Sequence, residues 1–148
     1  MDLSESITYH ITKTGNVLRQ LTARRIRDAG IDLTPEESVL MNQLWESDNR
    51  NISELNLWSV KEPSTMTRQI DHLVRKGYVT RSHGVEDRRT VYVKLTAQGR
   101  KLKKTFEKTR VSCLDSDLID ISPRDAEKLL ALLIATRVKA QEELHGTR

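Results

Sequence analysis

A chain of 148 residues with 36% hydrophobic and 31% charged side chains can hold one core of ordinary size, and its apolar runs are too short for a membrane-spanning helix. Its one cysteine, Cys113, excludes an intrachain disulfide and a cysteine-rich zinc site. The net charge of +4 is uneven: Lys61 to Arg110 holds 14 Lys/Arg against 5 Asp/Glu, a net +9, and the remainder holds 11 against 16, a net −5.

The opening residues, Met1 to Ser6, have no basic stretch leading into an apolar one, so they do not read as a secretory signal and a cytoplasmic protein is expected. Residues 5–29 read as a first helix. Ile7, Ile11, Leu18 and Leu21 recur at helical spacing, Val17 and Ile26 widen the stripe, and Gly30 ends it. Thr34-Pro35-Glu36-Glu37 starts a second helix: Thr34 caps, Pro35 fits the first helical position, and Glu37 stands three residues after the cap. Val39, Leu40, Leu44 and Trp45 give its apolar face, and Ser47 to Asn51 reads as a polar turn. Ile52 to about Val60 reads as a short helix burying Ile52, Leu55 and Val60. Lys61-Glu62 is a tight connection, and Pro63 opens a helix that runs to Lys76. Two short helices joined in this way form a helix-turn-helix.

Gly77 stops that helix. Tyr78–Arg81 and Thr90–Leu95 have β-branched and aromatic residues at period two, as strands do, with Ser82 to Arg89 as a hairpin tip. Thr96 starts a long basic helix on which Leu102, Phe106, Cys113 and Leu114 mark one face. Ser122-Pro123 starts a closing helix that reaches about Leu144. The fold class expected is mainly α with a small β-hairpin wing, an α+β winged helix-turn-helix.

The helix from Pro63 carries the chemistry. Met66, Ile70, Leu73 and Val74 fall on one buried face. The other side offers Ser64, Thr65, Thr67, Arg68 and Gln69 near the N-terminus. Arg bonds bidentately to a guanine edge, Gln to adenine, and Thr meets a thymine methyl or a phosphate. Recognition helices read bases mainly with their N-terminal residues. On the hairpin tip, Arg88 and Arg89 suit the minor groove, whereas Asp87 has the wrong sign for DNA and is expected to hold the tip in shape. The basic middle matches a nucleic-acid footprint; a solvated helix face and a charged turn share the same residue types.

In order, the chain shows a helix-turn-helix, Gly-Tyr-Val-x-Arg at 77–81, Asp-Arg-Arg at 87–89 and Val-x-Leu-Thr-x-x-Gly at 93–99, with long helices on either side. This pattern resembles the multiple-antibiotic-resistance regulator (MarR) family of winged-helix transcription factors. The resemblance implies a homodimer in which residues 1–33 and 96–148 form the helical dimerisation region and residues 34–95 the winged DNA-binding region. It implies double-stranded DNA as partner, at a pseudo-palindromic operator with half-sites about 34 Å apart. It places wing function on Asp87, Arg88 and Arg89. It also implies a repressor released by a small aromatic or phenolic effector bound between the dimerisation base and the DNA-binding lobe. His10, Thr14 and Trp58 are the candidates for that cleft. Asn56 and Trp58 depart from the small residue a family member more often shows there, and Trp58 either fills space or borders the cleft.

Other readings are weaker. Cys113 shares the apolar face of Leu102 and Phe106, where thiols are usually inert. His10, His72, His83 and His145 lack the spacing of a helical metal site, so neither a metal nor a cofactor is expected. No nucleophile elbow, phosphate loop or zinc-protease motif occurs, so the chain does not read as an enzyme. A dimeric helical adaptor that binds protein instead of DNA is the alternative. It requires an apolar patch on the recognition helix, where the sequence puts polar and basic residues.

Overall fold

A computed structural model of the chain describes residues 1–60 and 63–146. The Lys61-Glu62 connection lies outside the described residues. After a short 3-10 turn at Leu3–Glu5 come α1 (Ile7–Asp28), α2 (Pro35–Glu46), β1 (Arg50–Asn51) and α3 (Ile52–Asn56). A 3-10 turn at Pro63–Thr65 leads into α4 (Met66–Arg75). Then follow β2 (Val79–His83), β3 (Val91–Leu95), α5 (Ala97–Glu107), a 3-10 turn at Val111–Cys113, α6 (Leu114–Leu118) and α7 (Pro123–His145). The chain divides into two compact units, the first spanning Met1–Ser112 and the second beginning at Cys113.

Local chemistry sets most boundaries. The Ser6, Thr34, Thr96 and Ser122 hydroxyls each accept a hydrogen bond from the backbone N–H three residues on, satisfying a donor the helix cannot. α1 and α4 end alike. Gly30 and Gly77 take φ of 74° and 82°. Ile31 N–H donates to the Ile26 carbonyl, and Tyr78 N–H to that of Leu73. This glycine stop needs a left-handed residue, which a side chain disfavours.

The sheet is antiparallel in the order β1-β3-β2. Val79 pairs with Leu95 and Arg81 with Val93, while Arg50 pairs with Val93 from the other side. Val79, Val93 and Leu95 turn inward onto Ile26, Leu40, Met41, Leu44, Leu55, Met66, Ile70, Leu73 and Phe106, all buried. Burial of this contiguous apolar set is the main stabilising term for the first unit.

Several expectations are corrected. Residues 50–51 form a strand, because their backbone finds β3. The helix from Ile52 stops at Asn56, and Val60 is 71% exposed. Val74, expected in the core, lies at the edge of α4's apolar face and is exposed. The strands run to His83 and from Val91, shortening the tip to residues 84–90. Glu37 does not complete a capping box: its buried carboxylate accepts from Lys76 Nζ at 2.8 and 3.2 Å. The helix from Thr96 is not continuous through Cys113. Thr109 Oγ1 donates to the Phe106 carbonyl and accepts from Val111 N–H. Arg110 takes φ of 59°, and Arg25 donates to its carbonyl at 2.7 Å. α5 therefore ends at Glu107, and half-buried Cys113 closes a separate turn.

α1 leaves Ile7, Ile11, Val17 and Leu18 exposed, and only Ile26 of its stripe is fully buried. Along α7, Leu129, Leu130, Leu132, Leu133, Ile134 and Val138 are exposed as well.

One close approach tests the packing. A Cβ on Gly99 would overlap the Tyr78 carbonyl oxygen. Gly99→Ala should destabilise the protein by about 2 kcal/mol, because backbone on both sides resists relaxation. Urea unfolding would reveal this as a lowered midpoint, and an unmoved midpoint would mean that the approach relaxes freely.

Candidate nucleic-acid interface

α4 is anchored by Met66, Ile70 and Leu73, each at most 1% exposed. Their spacing turns the opposite side outward. Ser64, Thr67 and Arg68 are exposed there, and Thr65 and Gln69 are half-buried. The structure therefore brings the five sequence-predicted residues to the N-terminal end of one helix, beside the basic wing. A helix N-terminus also carries partial positive charge that favours phosphate.

The wing tip is held by its own polar groups. Asp87 Oδ1 accepts from Arg89 N–H at 2.9 Å. Gly84 N–H donates to the Thr90 carbonyl and Thr90 N–H to that of Asp87. The His83 ring nitrogen Nδ1 lies 2.8 Å from the Arg88 carbonyl oxygen. Arg88 and Arg89 are left projecting from this ordered loop, with the Arg89 side chain 96% exposed. The Arg89 guanidinium also lies 3.5 Å from Asp87.

Arg81, not singled out by residue type, ties the two parts together. From β2 it pairs with Asp71 of α4 at 2.5 Å and donates to the Thr67 carbonyl at 3.1 Å. The signal was its place in the Gly-Tyr-Val-x-Arg stretch, although composition alone gave no reason to separate it from the other arginines. Deeper in the lobe, Lys76 at the end of α4 meets Glu37 and, at 3.5 Å, Asp32. On the other flank of α2, Arg19 donates to both oxygens of buried Glu36 at 2.6 and 2.9 Å. That hydrogen bonding, reinforced by Coulomb attraction, raises the guanidinium pKa above its ordinary value.

The three cleft candidates separate. Trp58, 68% exposed, lines a cavity formed by α2, the turn after α3 and the end of α5. His10 and Thr14 lie on α1 and do not line that cavity. His10 Nε2 instead lies 3.0 Å from the Ser4 carbonyl, and Thr14 is exposed. Gln43, which also lines the cavity, was passed over. Its signal was a polar residue at i+3 from Leu40, on the face that α2 buries.

The brace gives a measurable coupling. A double-mutant cycle of Asp71→Ala and Arg81→Ala, read by urea unfolding, should return about 0.5 kcal/mol, since both side chains are partly solvated. Additive effects would show that the pair contributes no coupling.

The MarR family's sequence model matches residues 33–91. YwhA of Bacillus subtilis (strain 168), described as an uncharacterised HTH-type transcriptional regulator, is 28% identical over 71 residues. That stretch is 48% of this chain and 51% of YwhA, so the match spans about half of either protein. Solved structures share the fold. BpsR of Bordetella bronchiseptica, whose DNA binding is regulated by 6-hydroxynicotinic acid, has a TM-score of 0.78 at 20% identity, covering 93% of this chain and 96% of that one. Reduced AbfR bound to DNA, a Staphylococcus epidermidis protein, has a TM-score of 0.74 at 17% identity, covering 94% of each chain. Residues 33–91, which hold the helix-turn-helix and the first wing strand, thus match the MarR family of transcription regulators, and the solved structures share the fold.

Proposed function

We propose that this protein is a sequence-specific DNA-binding regulator, a homodimeric repressor that a small aromatic or phenolic effector releases. The observation that carries the reading is the pairing of α4's exposed polar face with a projecting arginine wing, braced as one unit by Arg81. Ser64, Thr65, Thr67, Arg68 and Gln69 would read the major groove. Arg88 and Arg89 would meet the backbone or the minor groove, with Asp87 shaping the tip. AbfR, of the same fold, is bound to DNA, and BpsR answers to a small aromatic acid. The MarR-family match over residues 33–91 supports a regulator over an enzyme. A cytoplasmic location fits that role, and no described helix is long and apolar enough to cross a membrane.

In this reading residues 34–95 bind DNA, and residues 1–33 and 96–148 dimerise. The exposed apolar residues on α1 and on α7 support dimerisation, because apolar stripes this long are normally covered. The adaptor alternative gains little: Val74 is the one large apolar residue exposed on α4, beside Thr67, Arg68 and Arg75.

Fluorescence anisotropy with DNA from upstream of the gene tests the reading. Binding should weaken steeply with salt and resist scrambled competitor. Arg68→Ala should cost about 1–3 kcal/mol at the cognate site and relax sequence preference, while Arg88→Ala should weaken binding evenly across sequences. Cognate binding unchanged in both variants would sink the contact assignment. Sedimentation should show a species of twice the chain's 17.0 kDa, and a monomer at micromolar concentration would remove the dimer.

A further inference from the structure

We propose that His83 on the wing is a DNA-phosphate contact that takes up a proton on binding, so that each wing holds DNA with an imidazolium. The inference deepens the DNA-binding reading and rests on it. Its starting point is one hydrogen bond. The ring Nδ1 stands 2.8 Å from the Arg88 carbonyl oxygen. A carbonyl oxygen accepts and never donates, so Nδ1 carries the proton and donates. That fixes the tautomer: the neutral ring keeps its lone pair on Nε2. His83 is exposed, and Nε2 has no hydrogen-bond partner among the described residues.

The register places the ring. Residues two apart on a strand share a face, so His83 lies on the face of β2 that carries Arg81. Arg81 pairs with Asp71 and donates to the Thr67 carbonyl, so that face is the one turned to α4. His83 stands about 7 Å farther out along β2, at its last pairing, opposite Val91. It therefore lies between α4 and the tip from which Arg88 and Arg89 project. With α4 in a major groove and the tip in the adjoining minor groove, the sugar-phosphate strand between the two grooves passes this position.

Phosphate oxygens only accept. A neutral His83 would set the Nε2 lone pair against them. The imidazolium donates from Nε2 while Nδ1 still holds Arg88, and that second bond strengthens with the charge. Binding therefore takes a proton from solvent at each wing. The charges already around the ring oppose one another. Glu86 and Asp87 line a hollow with His83 and attract the cation, whereas Arg88 lines another with it and repels. Asp87 is engaged with Arg89. On the α4 side, Asp71 is engaged with Arg81, and Arg68 is like-charged. Asn49 and the Tyr92 phenol complete the first hollow. The incoming phosphate is the full negative charge that binding adds to this balance.

Fluorescence anisotropy with the upstream duplex, at fixed salt and across a pH series, tests the inference. The parent protein should lose about tenfold in affinity per wing between about pH 6 and about pH 8. His83→Gln, which cannot take the proton, should bind at the acid end as weakly as the parent does at the alkaline end. Calorimetry of DNA binding in two buffers of different ionisation heat should count about one more proton per wing for the parent than for the variant. In the protein without DNA, the ring nitrogen resonances of neutral His83 should report the proton on Nδ1. A neutral ring protonated on Nε2 would overturn the proposal. So would tight binding that ignores pH, or a pH dependence that His83→Gln leaves intact, and either of these would keep the DNA-binding reading. No DNA binding at any pH would remove both.

Discussion

The junction at Gly77 joins α4, the wing and α5, and the geometry of the candidate interface depends on it. The glycine ends α4 in a left-handed turn and delivers Tyr78 into the sheet. Thr96, at the far end of the hairpin, returns to the same point. Its hydroxyl donates to the Gly77 carbonyl at 2.6 Å and its N–H to the Tyr78 carbonyl at 3.0 Å. The same hydroxyl accepts from Gly99 N–H and starts α5. One threonine thus closes the hairpin and caps the next helix, and Gly99 lets backbone touch backbone there. A shift of about an ångström at this point would propagate into both the helix and the wing, because interiors this densely packed transmit strain.

Charge pairs then fix what the apolar core leaves adjustable. The stripe of Met66, Ile70 and Leu73 sets which side of α4 faces the core, and Lys76 on Glu37 and Arg81 on Asp71 tie the helix and its end to α2 and β2. Glu37 is 1% exposed, and a carboxylate buried that deeply is tolerated only with its partner in place. Its specificity is geometric: the ammonium must reach that one carboxylate.

The cavity beside α2 shares its support with the candidate interface. Phe106, one of its walls, leans on Trp45, and Trp45 bonds the Gly99 carbonyl in the first turn of α5. Phe106 and the start of α5 are therefore contiguous through Trp45 and Gly99.

Much of the fold was legible because its signals are local. Thr34, Thr96 and Ser122 cap within three residues of their donors, and Gly30 and Gly77 stop helices within one turn, so the sequence alone places those boundaries. The residue types at Ser64 to Gln69 and at Asp87 to Arg89 likewise marked the candidate DNA surface, since spacing on a helix decides which side the core leaves open. What distant residues decide was not legible. β1 exists because β3 pairs with it; the chain turns at Arg110, after α5, where Arg25 takes the carbonyl; and Glu37 abandons the local capping box for Lys76. A helix period says that a residue faces inward, whereas the identity of what it meets is fixed only when separate segments pack, because burial removes the water that would otherwise satisfy any polar group equally well.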